Sequence, residues 1–270
     1  VVVSEKALAT AKGLLVDEGR LKPSATARFL AGFWMRVVWG YLLAPLARLR
    51  GATARRFRTY PLPEGARHKE LALRYAGLLQ ALRPMSEGGI DVGNLPYSYA
   101  CLPLPNPQAE AERVRQALFG ELGVRVGVMV VDTDKTYSLG RFHITPRPKP
   151  LPGIAGLGGF ATYLLCRLFK LKPRATPLAL AGLELPVETA LELAEAAHQA
   201  RGYGAGRTQW DIAARFGVSL TGVSWDMLAS IPHTPLVLIR WARRPNTSLG
   251  LRGALSGRGR ACPRSSRPKS

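Results

Sequence analysis

Residues 124–134 read Val-Arg-Val-Gly-Val-Met-Val-Val-Asp-Thr-Asp. An apolar run of this length that stops at acids predicts a buried strand, Val124 to Val131, delivering Asp132, Thr133 and Asp134 to its end. In open α/β sheets, ligands sit just beyond the carboxyl ends of such strands. A second stretch, Gly88-Gly89-Ile90-Asp91-Val92-Gly93-Asn94, also sets an acid among glycines, with an amide three residues on. Asp91 and Asp132 are therefore candidates for a shared divalent cation. Carboxylate, hydroxyl and carbonyl oxygens suit Mg²⁺ or Mn²⁺, which in turn hold phosphates. The competing reading is that both acids cap turns, as Asp often does.

Working outward, residues 108–122 carry apolar positions at helical spacing and predict a helix leading into the strand, a βα-like alternation. Downstream come Lys135, Arg141 and His143 and the segment Arg-Phe-His-Ile-Thr-Pro-Arg-Pro-Lys-Pro at 141–150. Its prolines exclude a long helix, and its basic residues suit a phosphate or carboxylate, or else a solvated loop. Gly153, Gly156, Gly158 and Gly159 follow, where backbone amides could cradle an anion. Neither a Walker A motif nor Gly-x-Gly-x-x-Gly is present there. Val1 to Val3 predicts a further strand, with Ser4, Glu5 and Lys6 at its end. A chain opening on Val inside an element points to a missing upstream segment.

Ser24 predicts the N-cap of a helix from about Ala25. Residues 29–49 are strongly apolar, but Arg36 in their middle and Pro45 near their end argue against a membrane span. A helix covered by protein is the expectation, with interfacial contact through the flanking arginines as the alternative. Residues 69–82 and 186–200 predict further helices, and Leu236 to Ile239 a last strand. Thr208 can cap a helix at 209–216, and Gly217 ends it. Residues 212–219 resemble a helix-turn-helix corner, but Trp225, Met227 and Leu228 make its second helix too apolar to read base edges.

The 270 residues are 47% apolar, which excludes a wholly disordered chain, and carry a formal net charge of +20. That excess permits nucleic acid, an anionic surface or phosphorylated substrates without choosing among them. Residues 247–270 hold six Lys and Arg and no acid, and are expected to be a disordered tail outside a single domain, 1–246, divisible into two subdomains. Three scattered cysteines without ligand spacing fit a reduced, cytoplasmic protein. Four histidines make a multi-histidine zinc site a poor fit.

Taken together, Val3 to Gly13, Gly89-Ile90-Asp91-Val92-Gly93-Asn94, Asn106 to Leu118 and Val128 to Thr133 resemble the first strand, Gly-Ile-Asp-x-x-Asn signature, helix and Asp-Thr strand of the coenzyme F420-0:L-glutamate ligases. The resemblance spans about 1–240 and is closest to a divergent archaeal branch. Residues 135–141 and 145–148 depart from the family pattern where substrate contacts are expected. The resemblance implies an α/β (α+β) fold with mixed sheets and flanking helices, and an intertwined homodimer. It implies a GTP- and metal-dependent ligase that joins L-glutamate to an acidic, phosphorylated deazaflavin-type precursor through an acyl phosphate. Mg²⁺ or Mn²⁺, and K⁺, are the implied cations. Asp91, Asp132, Thr133 and Asp134 would ligate metal. Ser4, Lys6, Asn94 and Arg147 would bind the nucleotide, and Arg141 and His143 would be catalytic. The alternatives are a homologue that binds nucleotide or another anion for a different substrate, and a nucleic-acid binder.

Overall fold

The apolar run forms the central strand, but it starts later than the pattern suggests and continues through the acids. The computed structural model describes residues 1–240; residues 1–239 form one unit, and the basic tail at 247–270 lies outside the described residues. The strands are β1 (Val2–Ser4), β2 (Leu15–Asp17), β3 (Tyr99–Cys101), β4 (Val128–Leu139), β5 (Phe142–Thr145), β6 (Ala155–Gly156), β7 (Lys172–Ala181) and β8 (Leu236–Val237). β7 runs antiparallel to β4 along nearly all of it. β1 is parallel to the first half of β4, with Ser4 opposite Val131. β5 is antiparallel to its second half. The sheet is thus mixed, extended by β8 beside β1 and β6 beside β5. β2 and β3 make a separate two-stranded sheet.

Period-two alternation explains why the run is apolar at every position. Val3, Val128 and Val130 face a core with Ala9, Leu104 and Ala111, supplied in part by the helices Glu5–Ala11 and Pro107–Leu122. Val2, Met129 and Val131 face a second core with Ala190, Leu191 and Ala194 of the helix Val187–Arg201. Helices therefore cover both faces of the first half of β4. The register breaks between Asp132 and Lys135, where β4 has two residues that β7 does not match. This bulge takes Thr133 and Asp134 out of the ladder, directly after Asp132 and where the short strand β1 ends.

A helical layer occupies much of residues 25–85. Its long helix, Ala25–Leu46, is wound with π-type bonding over Leu30–Leu43. Ala31, Met35 and Trp39 are buried against Ala54, Phe57 and Tyr60. Trp34 and Trp39 both donate their indole N–H to the Leu82 carbonyl, at 2.8 and 2.9 Å. Trp39 is fully buried, so its truncation to alanine should cost about 3–5 kcal/mol. The expectation of a helix covered by protein holds for one face. Phe29, Phe33, Val37, Tyr41, Leu42 and Leu46 are exposed. This helix is long and apolar enough to cross a membrane by length and composition. Arg36 donates to the Tyr60 carbonyl at 2.8 Å, which ties the helix to its neighbours.

The expected helix at 69–82 is instead Leu62–Ala76, broken at Gly77 and resumed at Leu78–Ala81. Gly159–Leu168 is helical. The proposed helix-turn-helix corner does not form a reading helix. Gln209–Phe216 carries the predicted Thr208 cap, but the next helix, Trp225–Ala229, comes eight residues later and is five residues long.

Candidate active site

A cleft of about 790 Å³ opens where β1 ends and β4 bulges. Ser4, Lys6, Asp91, Asn94, Asp132 and Thr133 all line it. The structure thus brings six sequence-selected residues together from three distant segments. Asp91 reaches the cleft because its backbone forms an antiparallel bridge with Cys101 of β3. Asp132 and Thr133 reach it through the bulge in β4.

Asp132 is held by Arg147, whose guanidinium also donates to Glu5 at 2.6 Å. Arg147 and Glu5 are each at least 97% buried. Burial pushes the Glu5 carboxyl up to about 7, Arg147 opposes that shift, and Asp132 adds to it. The Arg147 side chain passes directly over Gly89, whose φ is +95°. A Cβ there would press into the guanidinium, so the second glycine of the signature serves close approach as well as backbone freedom. Arg147 lies beneath the cleft as a support for Asp132, not in its wall as a phosphate contact.

Asp134 is not a cleft residue either. It is 5% exposed and takes a two-pronged ion pair from Arg83 at 2.7 and 3.0 Å. The two acids of Asp132-Thr133-Asp134 therefore point to different arginines, and of the two Asp132 lines the cleft. Asp91 accepts from the Gly93 N–H at 2.7 Å and pairs with Lys6 at 3.0 Å. Lys6 also donates to the Gly93 carbonyl at 2.7 Å. Asn94, at φ +56°, does not touch Asp91. It clamps the glycine loop at 202–206, accepting from the Ala205 N–H at 2.8 Å and donating to the Tyr203 carbonyl at 3.2 Å.

Arg141 and His143 stand apart from this constellation. Arg141 is exposed between β4 and β5. At ~3.3 Å per strand residue, the far end of β4 lies roughly 20 Å from Asp132. His143 is buried beside Ser138 at 2.9 Å and Glu188 at 3.6 Å, in a cluster completed by Arg174. Both residues belong to the opposite end of the sheet from the cleft, which leaves them without a substrate contact there.

Two residues that the sequence did not single out as site candidates, His198 and Arg201, also line the cleft. Burial, then the charges of Lys135 and Arg201, push the His198 pKa down to about 4, so the ring is neutral at pH 7. The signal was their spacing. Residues i and i+3 share a helix face, and this pair directly precedes the loop Gly-Tyr-Gly-Ala-Gly at 202–206.

A smaller cavity of about 230 Å³ adjoins the cleft and shares Asp91, Gly93, Thr133 and Arg207 with it. Tyr60, Tyr97, Tyr99 and Trp210 give it aromatic walls. Ser86, Asn94 and Tyr97 line one or other cavity and are left-handed, at φ +54° to +56°. Such backbone in non-glycine residues concentrates where a site imposes it.

Among the described residues, no three His, Cys, Asp or Glu side chains converge as a preformed metal cage. The oxygen donors that do share the cleft, Asp91, Asp132 and Thr133, are hard ligands of the kind Mg²⁺ and Mn²⁺ take alongside water and phosphate. Cys101 and Cys166 are buried free thiols, and neither lines the cleft.

A model of the family described as F420-0:Gamma-glutamyl ligase matches residues 1–162. An uncharacterized protein of Methanocaldococcus jannaschii is 41% identical over 191 residues, 68% of this chain and 65% of that protein. The chain thus spans just under two thirds of that relative's length. Ser4, Lys6, Asp91, Asn94, Asp132, Thr133 and Arg147 fall inside the family match; His198 and Arg201 fall outside it.

Proposed function

The chain belongs to the F420-0:gamma-glutamyl ligase family, and on that premise we propose that it is a GTP- and divalent-metal-dependent ligase. It would join L-glutamate to the carboxylate of an acidic, phosphorylated deazaflavin-type precursor. The γ-phosphoryl group of GTP passes to the acceptor carboxylate, giving an acyl phosphate and GDP. The glutamate amine then attacks the acyl carbon, forming the amide bond as phosphate leaves and the nitrogen loses its protons to solvent or a base.

One observation carries this reading: Asp91 of the glycine signature and Asp132-Thr133 of the bulge, 41 positions apart in the chain, face one cleft. Those three residues would hold the cation, which when bound supplies charge neutralisation across phosphate oxygens. Lys6 stands beside Asp91 and suits the same phosphates as a point charge. Arg147 fixes Asp132, and Asn94 fixes the glycine loop, so alignment of the reactants rests on buried polar ties. The two adjoining cavities, meeting at Asp91 and Thr133, suit a reaction that brings two substrates to one point. A homodimer belongs to the same proposal, with the exposed stripe of the long helix against a second copy.

The test is to supply the full chain with GTP, Mn²⁺, L-glutamate and the deazaflavin precursor and follow products by mass spectrometry. The expected result is an acceptor heavier by one glutamate residue, with GDP and phosphate in equal amount. Asp132→Asn and Asp91→Asn should each lower the rate at least 100-fold, since each removes a charged oxygen ligand. GTP turnover without a heavier acceptor would point to a different carboxylate substrate. Folded, Mn²⁺-treated protein that neither binds nor turns over GTP would overturn the nucleotide reading altogether.

A further inference from the structure

Arg201 ends the helix Val187–Arg201 and lines the cleft, yet it makes no hydrogen bond or ion pair among the described residues. It is partly buried, and burial lowers its pKa. The Asp132 and Asp91 charges oppose that shift from a distance without bonding the guanidinium, so its donors stay open to a ligand anion. One turn earlier on the same face, His198 is 6% exposed, and its Nδ1 is buried without a partner. Buried polar nitrogens are nearly always bonded, so an unpaired one in a cleft wall calls for an explanation. Two other cations of the cleft are already paired, Lys135 with Glu195 at 3.0 Å and Lys6 with Asp91 at 3.0 Å. Arg201 therefore stands as a guanidinium without a hydrogen bond or ion pair next to a neutral, unpartnered ring; Arg207, which also lines the cleft, is stacked on the Tyr203 ring at 4.3 Å.

We propose that Arg201 and His198 form a carboxylate-binding subsite that holds a carboxylate of the acidic amine donor, within the cleft where Asp91 and Asp132 lie. The charge balance selects this ligand. One unpaired guanidinium matches one carboxylate, whose two oxygens fit its planar fork. In the ligase reading, the nucleotide phosphates are left to Lys6 and to a cation at Asp91 and Asp132. The imidazole adds a neutral hydrogen bond without adding charge. Both residues lie beyond the segment matched by the family, so the subsite is read from this fold alone. Naming the bound carboxylate as the amine donor's rests on the ligase reading.

Calorimetry on the full chain would use L-glutamate, glutarate and inorganic phosphate as probes, without nucleotide. Arg201→Gln should weaken glutamate and glutarate binding at least tenfold, the scale of a charge-assisted contact, and leave phosphate binding as it was. Arg201→Lys should restore part of the affinity. His198→Phe should weaken the same two ligands by a smaller factor, and His198→Asn less still. Each variant's melting temperature and circular dichroism guard against misfolding, with Arg201, already unbonded, the safer site to change. No glutamate or glutarate binding by the wild-type protein, or binding unchanged in Arg201→Gln, would overturn the subsite. Phosphate affinity lost with glutarate affinity retained would reassign it to phosphate and overturn the proposal equally. The ligase reading fails separately. Carboxylate binding lost in Arg201→Gln, in a protein that ligates nothing, supports the subsite without the reaction; ligation with an unchanged KM for glutamate in Arg201→Gln sinks the subsite alone.

Discussion

Arg147 does at the residue scale what a Lys could not, because its planar fork gives one nitrogen to Asp132 and another to Glu5. Arg147→Met would leave two carboxylates facing each other in a buried site, and the expected loss is about 3–5 kcal/mol in urea unfolding. Adding Glu5→Gln should recover part of it by removing one of the stranded charges; no recovery would mean that lost packing dominates. The sequence singled out Arg147, Asp132 and Asp134, but not their partners. A proline-rich basic segment reads as solvated, and nothing local says that an arginine from it is buried under a glycine 58 positions earlier. His68 offers a test by pH. It is largely enclosed between Glu18 at 2.7 Å and Glu87 at 3.1 Å. Burial opposes its charge, but the two glutamates more than offset that and hold its pKa up at about 10. A raised pKa means stability fully present below the unfolded value of about 6.5 and lost as pH rises towards 10. The melting temperature should therefore fall from pH 7 to pH 10 more steeply in the wild-type protein than in His68→Gln. Parallel curves would show that the pair is not charged.

At the scale of elements, what could be read was decided by how local the signal was. Val128 to Val131 are apolar on both faces because helices cover both, and the run itself announced that. The continuation through Lys135, Thr136 and Ser138 looked like a strand end because it is polar. Thr136 is nonetheless fully buried, satisfied by Thr176 across the ladder at 2.9 Å. Polarity hid a strand whose hydrogen bonds are paired internally. The helix caps at Ser24 and Thr208 were legible because capping is a contact within three residues. The glycine loop at 202–206 was visible as composition, but its tie to Asn94 spans more than 100 positions. That tie predicts a local effect. Asn94→Ala removes the side-chain bonds to Tyr203, Ala205 and Gly206 and places a less tolerant residue at a left-handed position. Amide exchange at 202–207 should speed up on the order of tenfold or more, from about 1–3 kcal/mol of lost contacts, while the β4 amides stay protected. Equal acceleration in both segments would mean that Asn94 supports the whole fold and not the loop.

Across the whole molecule, the unbalanced feature is the outer stripe of the long helix. Phe29, Phe33, Val37, Tyr41, Leu42 and Leu46 are all between 41% and 64% exposed on one helix, and a contiguous apolar patch on a soluble chain usually marks an interface. The helix hydropathy alone does not choose among a bilayer, a second copy and another protein. Three details favour a second copy. The opposite face of the helix is already committed to the core through Met35 and Trp39, so the helix cannot enter a bilayer without unfolding its own layer. Arg36 is tied to the Tyr60 carbonyl and Arg58 stacks on Tyr41 at 4.4 Å, which fixes two of the nearby cations instead of leaving them for lipid headgroups. An apolar stripe of this kind can also meet its own copy across a two-fold axis, the geometry of most homodimers. Light scattering of the full chain should therefore give twice the monomer mass of 29.3 kDa. The double variant Phe33→Glu, Leu42→Glu should shift it to the monomer with its circular dichroism unchanged, because neither side chain belongs to the buried face. A wild-type monomer that sediments with anionic vesicles, and loses that binding in the same variant, would assign the stripe to a membrane surface instead.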